Sequence, residues 1–165
     1  MLGRMLMGAM AGTAAAIPMT AYWEYMHTRL PGEPPRPLPP REIVEAMAVK
    51  SGVSRELSER DAQNLALAGH FCYSAATGAL FGLLTPRSPA RSVGAGALFG
   101  LGVWAASYLG WLPVAGVRQS VKYDPVARTS LMVGGHIVWG VTLGLITALG
   151  TGRRATVSTM DPGFV

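Results

Sequence analysis

Four long stretches of the chain carry no charge. Nineteen uncharged residues lie between Arg4 and Glu24, 25 between Asp61 and Arg87, 26 between Arg91 and Arg118, and 24 between Arg128 and Arg153. About 20 residues of helix cross a hydrocarbon core near 30 Å thick, so the pattern predicts four transmembrane helices over residues 4–27, 59–85, 92–112 and 130–151. Hydrocarbon offers the backbone no water to bond, which keeps such segments helical despite their glycines. A cleavable signal peptide is the rival for the first stretch, given Arg4 and the alanines at 14–16. The apolar run continues past Pro18 into Tyr22 and Trp23, which favours a span kinked at Pro18.

The connectors differ in character. Residues 30–40, "LPGEPPRPLPP", hold six prolines in eleven positions, a stiff extended spacer. After it, "REIVEAMAVKSG" places Ile43, Val44, Met47 and Val49 on one helical side with Gly52 as C-cap. That predicts a short amphipathic helix over residues 41–51, lying on the membrane surface or on the bundle. Ser58 with Asp61 three residues on forms a capping box, so the second span starts in water. Basic residues at both termini and in the short 2–3 loop (Arg4, Arg87, Arg91, Arg153, Arg154) place both termini in the cytoplasm of a bacterial inner membrane. Residues 1–154 form one transmembrane domain, with a disordered tail at 155–165.

The spans repeat. "GAMAG" at 8–12 matches "GALFG" at 96–100 at an offset of 88, which also aligns Trp23 with Trp111. At an offset of 66, His70, Tyr73 and Gly78 align with His136, Trp139 and Gly144. The chain thus reads as two related helical hairpins. Small residues recur every four positions at Gly8, Gly12, Ala16 and Thr20, at Ser74, Gly78 and Gly82, and at Gly140, Gly144 and Ala148. Such stripes mark the faces on which membrane helices pack.

Extending each stripe by four reaches Glu24, His70 and His136, which predicts that all three point into the bundle. His70 and His136 each lie 17 residues from a basic flank, at Arg87 and Arg153, so both sit roughly 25 Å from that end. Glu24 and His27, a turn apart, fall near the same level. Glu24, His27, His70 and His136 are therefore a candidate mononuclear site for a transition metal such as zinc, manganese or iron. His70 and His136 are alternatively the axial pair of a non-covalent haem, since the chain has no CxxCH. A proton or solute path would need more polar residues deeper in than Ser74, Thr77, Thr142 and Thr147. The plainer alternative is that these groups hydrogen-bond between helices near the interface. An aromatic belt accounts for several of Tyr22, Trp23, Tyr73, Tyr108, Trp111 and Trp139.

Composition narrows the partners. Half the residues are apolar, 14% are charged and mean hydropathy is +0.31, against roughly 25% charged in soluble domains. The net charge of +5 comes from arginines standing singly or in pairs beside apolar runs, not from a basic stripe with interleaved aromatics, so nucleic acid is excluded as partner. The lipid bilayer is the first partner, and a homo-oligomer or a larger membrane complex the second. The single cysteine, Cys72, allows no internal disulfide. No nucleophile elbow, P-loop or dinucleotide fingerprint is present.

The early Gly-x-x-x-Gly with Pro18-Met19-Thr20, the Pro-rich first loop, "AGHFCYSAATGALFG" (68–82), "SYLGWLP" (107–113) and "DPVARTSLMVGGHIVWG" (124–140) together resemble a group of small bacterial four-span membrane proteins of unknown function, the YagU-like inner-membrane proteins. The resemblance implies an inner-membrane location and carries no catalytic residue. The expectation is an all-α integral membrane four-helix bundle of two pseudo-repeated hairpins, with a short amphipathic helix in the first loop. Its role is expected to be that of a non-enzymatic accessory or self-associating subunit, with a metal- or haem-binding protein and a small oligomeric transporter as alternatives.

Overall fold

The computed structural model describes residues 1–29, 39–53, 57–85, 89–119 and 121–158; the side chains of His27, Pro39, Pro89, Ala90 and residues 151–158 lie outside that description. Most of the described residues are helical, with no strand among them. The first span is α1 (Leu2–His27), which continues through Pro18. The loop helix is α2 (Pro39–Lys50), the second span α3 (Glu59–Leu84) and the third α4 (Pro89–Ala105). A π-helical turn (Ala106–Trp111) carries α4 into a last short turn, α5 (Leu112–Val114). The fourth span is α6 (Val126–Ser158). Four of these helical segments are long and apolar enough to cross a membrane, which bears out the all-α membrane bundle. The backbone of α6 stays helical over 155–158, four residues into the expected tail; 159–165, like the spacer at 30–38, lie outside the described residues.

The helix ends follow local chemistry. Ser58 accepts from the Asp61 amide at 3.2 Å and donates to the Asp61 carboxylate at 2.6 Å, closing the N-terminus of α3. At its other end the Arg4 guanidinium donates to the carbonyls of Leu83 and Thr85, both at 2.8 Å. These are carbonyls that a helix C-terminus leaves without amide partners. Helix α2 ends in a Schellman motif: Gly52 takes φ +76°, and the amides of Gly52 and Val53 return to Val49 and Ala48. Gly116, at φ +60°, ends α5 in the same way.

The spans form two tight pairs, α1 with α3 and α4 with α6, joined through an α1–α6 interface; α3 and α4 meet only loosely. Backbone contact at glycines makes the pairs tight. A Cβ on Gly8 would strike the Gly78 carbonyl and one on Gly12 the Ser74 carbonyl. In the second pair a Cβ on Gly96 would strike the Gly140 carbonyl and one on Gly100 the His136 carbonyl. Gly8 and Gly12 therefore correspond to Gly96 and Gly100 at the offset of 88 read from sequence. Ser74 and Gly78 correspond to His136 and Gly140 at an offset of 62, not 66. The repeat between α3 and α6 is one helical turn away from the alignment of the two histidines: His136 stands where the first pair has Ser74.

The α1–α6 interface is clasped by two indoles. Trp23 Nε1 donates to Leu131 O at 3.2 Å, and Trp139 Nε1 donates to Gly12 O at 3.1 Å. Gly135 makes room for the first, since any Cβ there would overlap the Trp23 ring. Trp23, Tyr108 and Trp139 are thus buried core residues. Only part of the expected aromatic belt is at the surface, as with Tyr73 and Trp111.

Candidate functional site

The loose α3–α4 side leaves a cavity of about 230 Å³ at the end of the bundle that carries α2. Its walls come from α2 and from all four spans. His70, Tyr73 and Thr77 stand on α3, His136 and Trp139 on α6, and Trp23 on α1. Ile43, Val44 and Met47 of α2 roof it, and Ser107 and Tyr108 reach it from the π turn. Helix α2 therefore lies on the bundle, the second of its two expected placements. Its inward face is Ile43, Val44 and Ala48, with Met47 at the cavity edge and 52% exposed; Val49 is exposed. The expected face misplaces Val49 because six residues along a helix turn a side chain roughly 120° away from Ile43.

The π turn follows from Pro113. Proline has no amide hydrogen and its ring crowds the carbonyl four residues back, here Leu109. The chain widens, and Leu112 N–H bonds to Ser107 O five residues back. This wider turn leaves the consecutive residues Ser107 and Tyr108 both buried. Ser107 then pairs with Tyr73 across the loose side, Oγ to hydroxyl at 2.9 Å. Tyr108 places its ring edge-on to His136 with centroids 5.9 Å apart.

The two histidines share this cavity. Each rests against the Trp23 indole, with centroid distances of 5.5 Å for His70 and 5.9 Å for His136. His136 is 6% exposed, and its Nδ1 is 2.8 Å from Met132 O. His70 is half-buried, with Nε2 3.3 Å from Thr20 Oγ1. Glu24 is exposed. It shares a second recess, of about 280 Å³, with His70, Arg41 and Gln63. The His27 side chain is outside the described residues. Among the described residues no three His, Cys, Asp or Glu side chains come together as a metal-ion site would require. The structure thus brings His70 to His136 on one side and to Glu24 on the other, and does not gather all three.

The reason is geometric. Steps of four residues overshoot a 3.6-residue turn by about 40° each. His136 is one step from Gly140 and stays inside, and His70 is two steps from Gly78 and lies at the margin. Glu24 is four steps from Gly8, so it has rotated out of the interface, and Trp23 takes the inward place.

A charge cluster that sequence spacing does not reveal holds α2 in position. Glu42 accepts from Arg128 at 2.7 Å and from Arg118 at 3.3 Å, and Arg118 also pairs with Asp124 at 2.8 Å. The Arg128 side chain is 3% exposed and that of Arg118 10%. Burial alone would lower the Arg118 pKa; Asp124 and Glu42 outweigh it, and the pKa rises above its ordinary value. The Arg118 guanidinium also stands 5.2 Å from the Tyr108 ring centroid, which links the clamp to the cavity wall. Lys50 ties the far end of α2 to Ala115 O.

The family described as "Protein of unknown function (DUF1440)" matches residues 19–145, and the chain belongs to that family. The matched region holds the α2 clamp and every residue named above as lining the cavity. This agrees with the sequence reading of a small family of uncharacterised membrane proteins. Comparison with curated proteins and with solved structures returns no match.

Proposed function

We propose that this DUF1440 protein sits in the bacterial inner membrane with both termini in the cytoplasm. There it binds a small lipid-soluble molecule without transforming it. The observation that carries the reading is the cavity: a mostly apolar, aromatic-walled space with a few convergent polar groups, which is the usual make-up of a small-molecule site. Its position supports access from the bilayer, because α3 and α4 meet loosely and Tyr73 and Trp111 at that side are 40% and 44% exposed. Binding of this kind gives content to the accessory role expected from sequence. Three of the four tryptophans, Trp23, Trp111 and Trp139, line the space, so occupancy is readable by fluorescence.

The test uses the full-length protein in lipid nanodiscs with 1-bromonaphthalene, an apolar heavy-atom quencher. The expected result is saturable quenching in the wild type that disappears in Gly69→Phe. Gly69 lines the cavity, and a Cβ there meets nothing within 4 Å, so the new ring fills the space without displacing a helix. Gly102→Phe, on an equally open position away from the cavity, keeps it. Quenching that rises linearly and equally in all three proteins sinks the proposal.

A further inference from the structure

We infer that the cavity takes a compact aromatic diol, a quinol headgroup, whose two hydroxyls donate to His70 and His136; this rests on the cavity being the ligand site proposed above. The argument begins with where the ring hydrogens must be. Met132 O can only accept, so at 2.8 Å the His136 Nδ1 carries the hydrogen. In the neutral ring Nε2 is then a bare lone pair. Thr20 has one hydroxyl hydrogen and gives it to Ala16 O at 2.9 Å, the shorter of its two contacts. Its oxygen therefore accepts from His70 Nε2 at 3.3 Å, and His70 Nδ1 is left as a lone pair. The cavity lining holds no carboxylate to balance an imidazolium, and Glu24, which shares the second recess with His70, is exposed and forms no ion pair with it among the described residues, so both rings are neutral. The two free imidazole nitrogens are both acceptors.

A ligand that satisfies them must bring two donor hydrogens. The Tyr73–Ser107 pair adds the complement: two hydroxyls share one hydrogen bond, so one hydroxyl hydrogen remains to donate to a ligand oxygen. A quinol satisfies all three positions, whereas a quinone offers only acceptors and leaves both histidines unanswered. The dimensions set an upper limit that a diol can span. Both imidazole centroids lie within 5.9 Å of the Trp23 ring, so they are at most 11.4 Å apart. A para-diol spans roughly 5–6 Å between oxygens, and with hydrogen bonds of about 2.8 Å at each end it bridges nitrogens up to roughly 11 Å apart. The aromatic walls from Trp23, Tyr108 and Trp139 suit a flat ring, and the α3–α4 side gives an apolar tail a way into lipid. A cation would use the same lone pairs, but it needs further ligands, and no third His, Cys, Asp or Glu joins the pair among the described residues.

The experiment measures equilibrium binding of a short-alkyl-chain 1,4-benzoquinol and of the matching quinone to the full-length protein in nanodiscs. Measurements are anaerobic and corrected for partition into empty nanodiscs. The quinol is expected to bind at least tenfold more tightly. That preference is expected to vanish in His136→Phe and His70→Leu and to survive in part in His136→Gln, whose amide oxygen still accepts. Saturable 1-bromonaphthalene quenching in each variant shows that its cavity is intact. Equal affinity for quinol and quinone, or a preference unchanged by His136→Phe, overturns the diol assignment while bromonaphthalene binding keeps the cavity reading. Absence of saturable binding by both probes overturns the two together.

Discussion

Replacing Glu42 by glutamine removes one charge from the clamp that fixes α2 over the cavity. The side chain keeps its shape and one oxygen acceptor, so the loss is mostly electrostatic. Glu42 accepts from Arg128 at 2.7 Å and Arg118 at 3.3 Å, and its side chain is 25% exposed. Removing one partner of a buried ion pair costs about 3–5 kcal/mol, because the other charge stays buried and unbalanced. Two features place Glu42→Gln below that range. Arg118 keeps Asp124 at 2.8 Å, and the exposed quarter of Glu42 already lets water screen the pair. A loss of about 2–3 kcal/mol is expected. It is measured as a shift in reversible unfolding with the mole fraction of sodium dodecyl sulfate in mixed micelles, followed by helical circular dichroism. If the cost is the Glu42 charge lost beside Arg128, Glu42→Gln combined with Arg128→Met restores part of the stability, since methionine keeps an apolar stem in the buried space. A double variant that loses the full sum of the single losses, or a Glu42→Gln protein as stable as wild type, refutes the reasoning. Limited proteolysis reads the same event locally, as earlier cleavage at the ends of α2.

Two further predictions concern the bundle and its placement. Gly78→Ala and Gly140→Ala occupy equivalent sites in the two tight pairs, where a Cβ would strike a backbone carbonyl. Each is expected to cost about 1–3 kcal/mol by overpacking, whereas Gly69→Ala and Gly102→Ala, facing open space, change stability by less than about 0.5 kcal/mol. The same detergent unfolding measurement decides this, and equal effects at Gly78 and Gly69 would contradict the close backbone approach. Reporter fusions at Met1 and Val165 are expected to show cytoplasmic activity at both ends, and a periplasmic signal from either would reverse the proposed orientation.

The four spans were legible because a membrane imposes a length and a charge rule that survive in composition alone. The Ser58–Asp61 cap and the Gly52 stop were legible because they are local, set by a side chain and an amide a few residues apart. Properties that depend on rotation about a helix axis were harder to read. Counting by fours follows a stripe for one or two turns, enough for Gly78 and Gly82, and then drifts off the interface, which is how Glu24 came to be expected inside. Matching by residue type aligned His70 with His136, a match that the glycine contacts set aside in favour of Ser74. The clamp was illegible for a different reason. Glu42 lies 76 and 86 residues from its arginines, and nothing in the local pattern distinguishes it from the neighbouring Glu45. The π turn had a signal in Pro113, five residues beyond Tyr108, but one proline near a span end fits a simple stop equally well.

The corrected register explains why there is a cavity at all. A two-fold relation between the hairpins would make the α3–α4 contact a copy of the α1–α6 contact. At offsets of 88 and 62, Trp23 corresponds to Trp111 and Gly135 to Tyr73. On the closed side the Trp23 indole lies over Gly135, where no side chain resists it. On the open side Trp111 meets the Tyr73 ring instead, at 6.4 Å between centroids, and two large rings hold the helices apart. Trp139, which fills the closed interface and bonds Gly12 O, corresponds to Thr77, too small to fill the gap the rings create. A large residue opposite a large one at the rim, with a small one a turn below, makes a pocket where the other half of the molecule makes a seam. His136, replacing the Ser74 of the first pair, puts an imidazole beside that pocket. The candidate site thus opens where the repeat is imperfect, at Tyr73 against Gly135, Thr77 against Trp139 and His136 against Ser74, between the matched tryptophans Trp23 and Trp111.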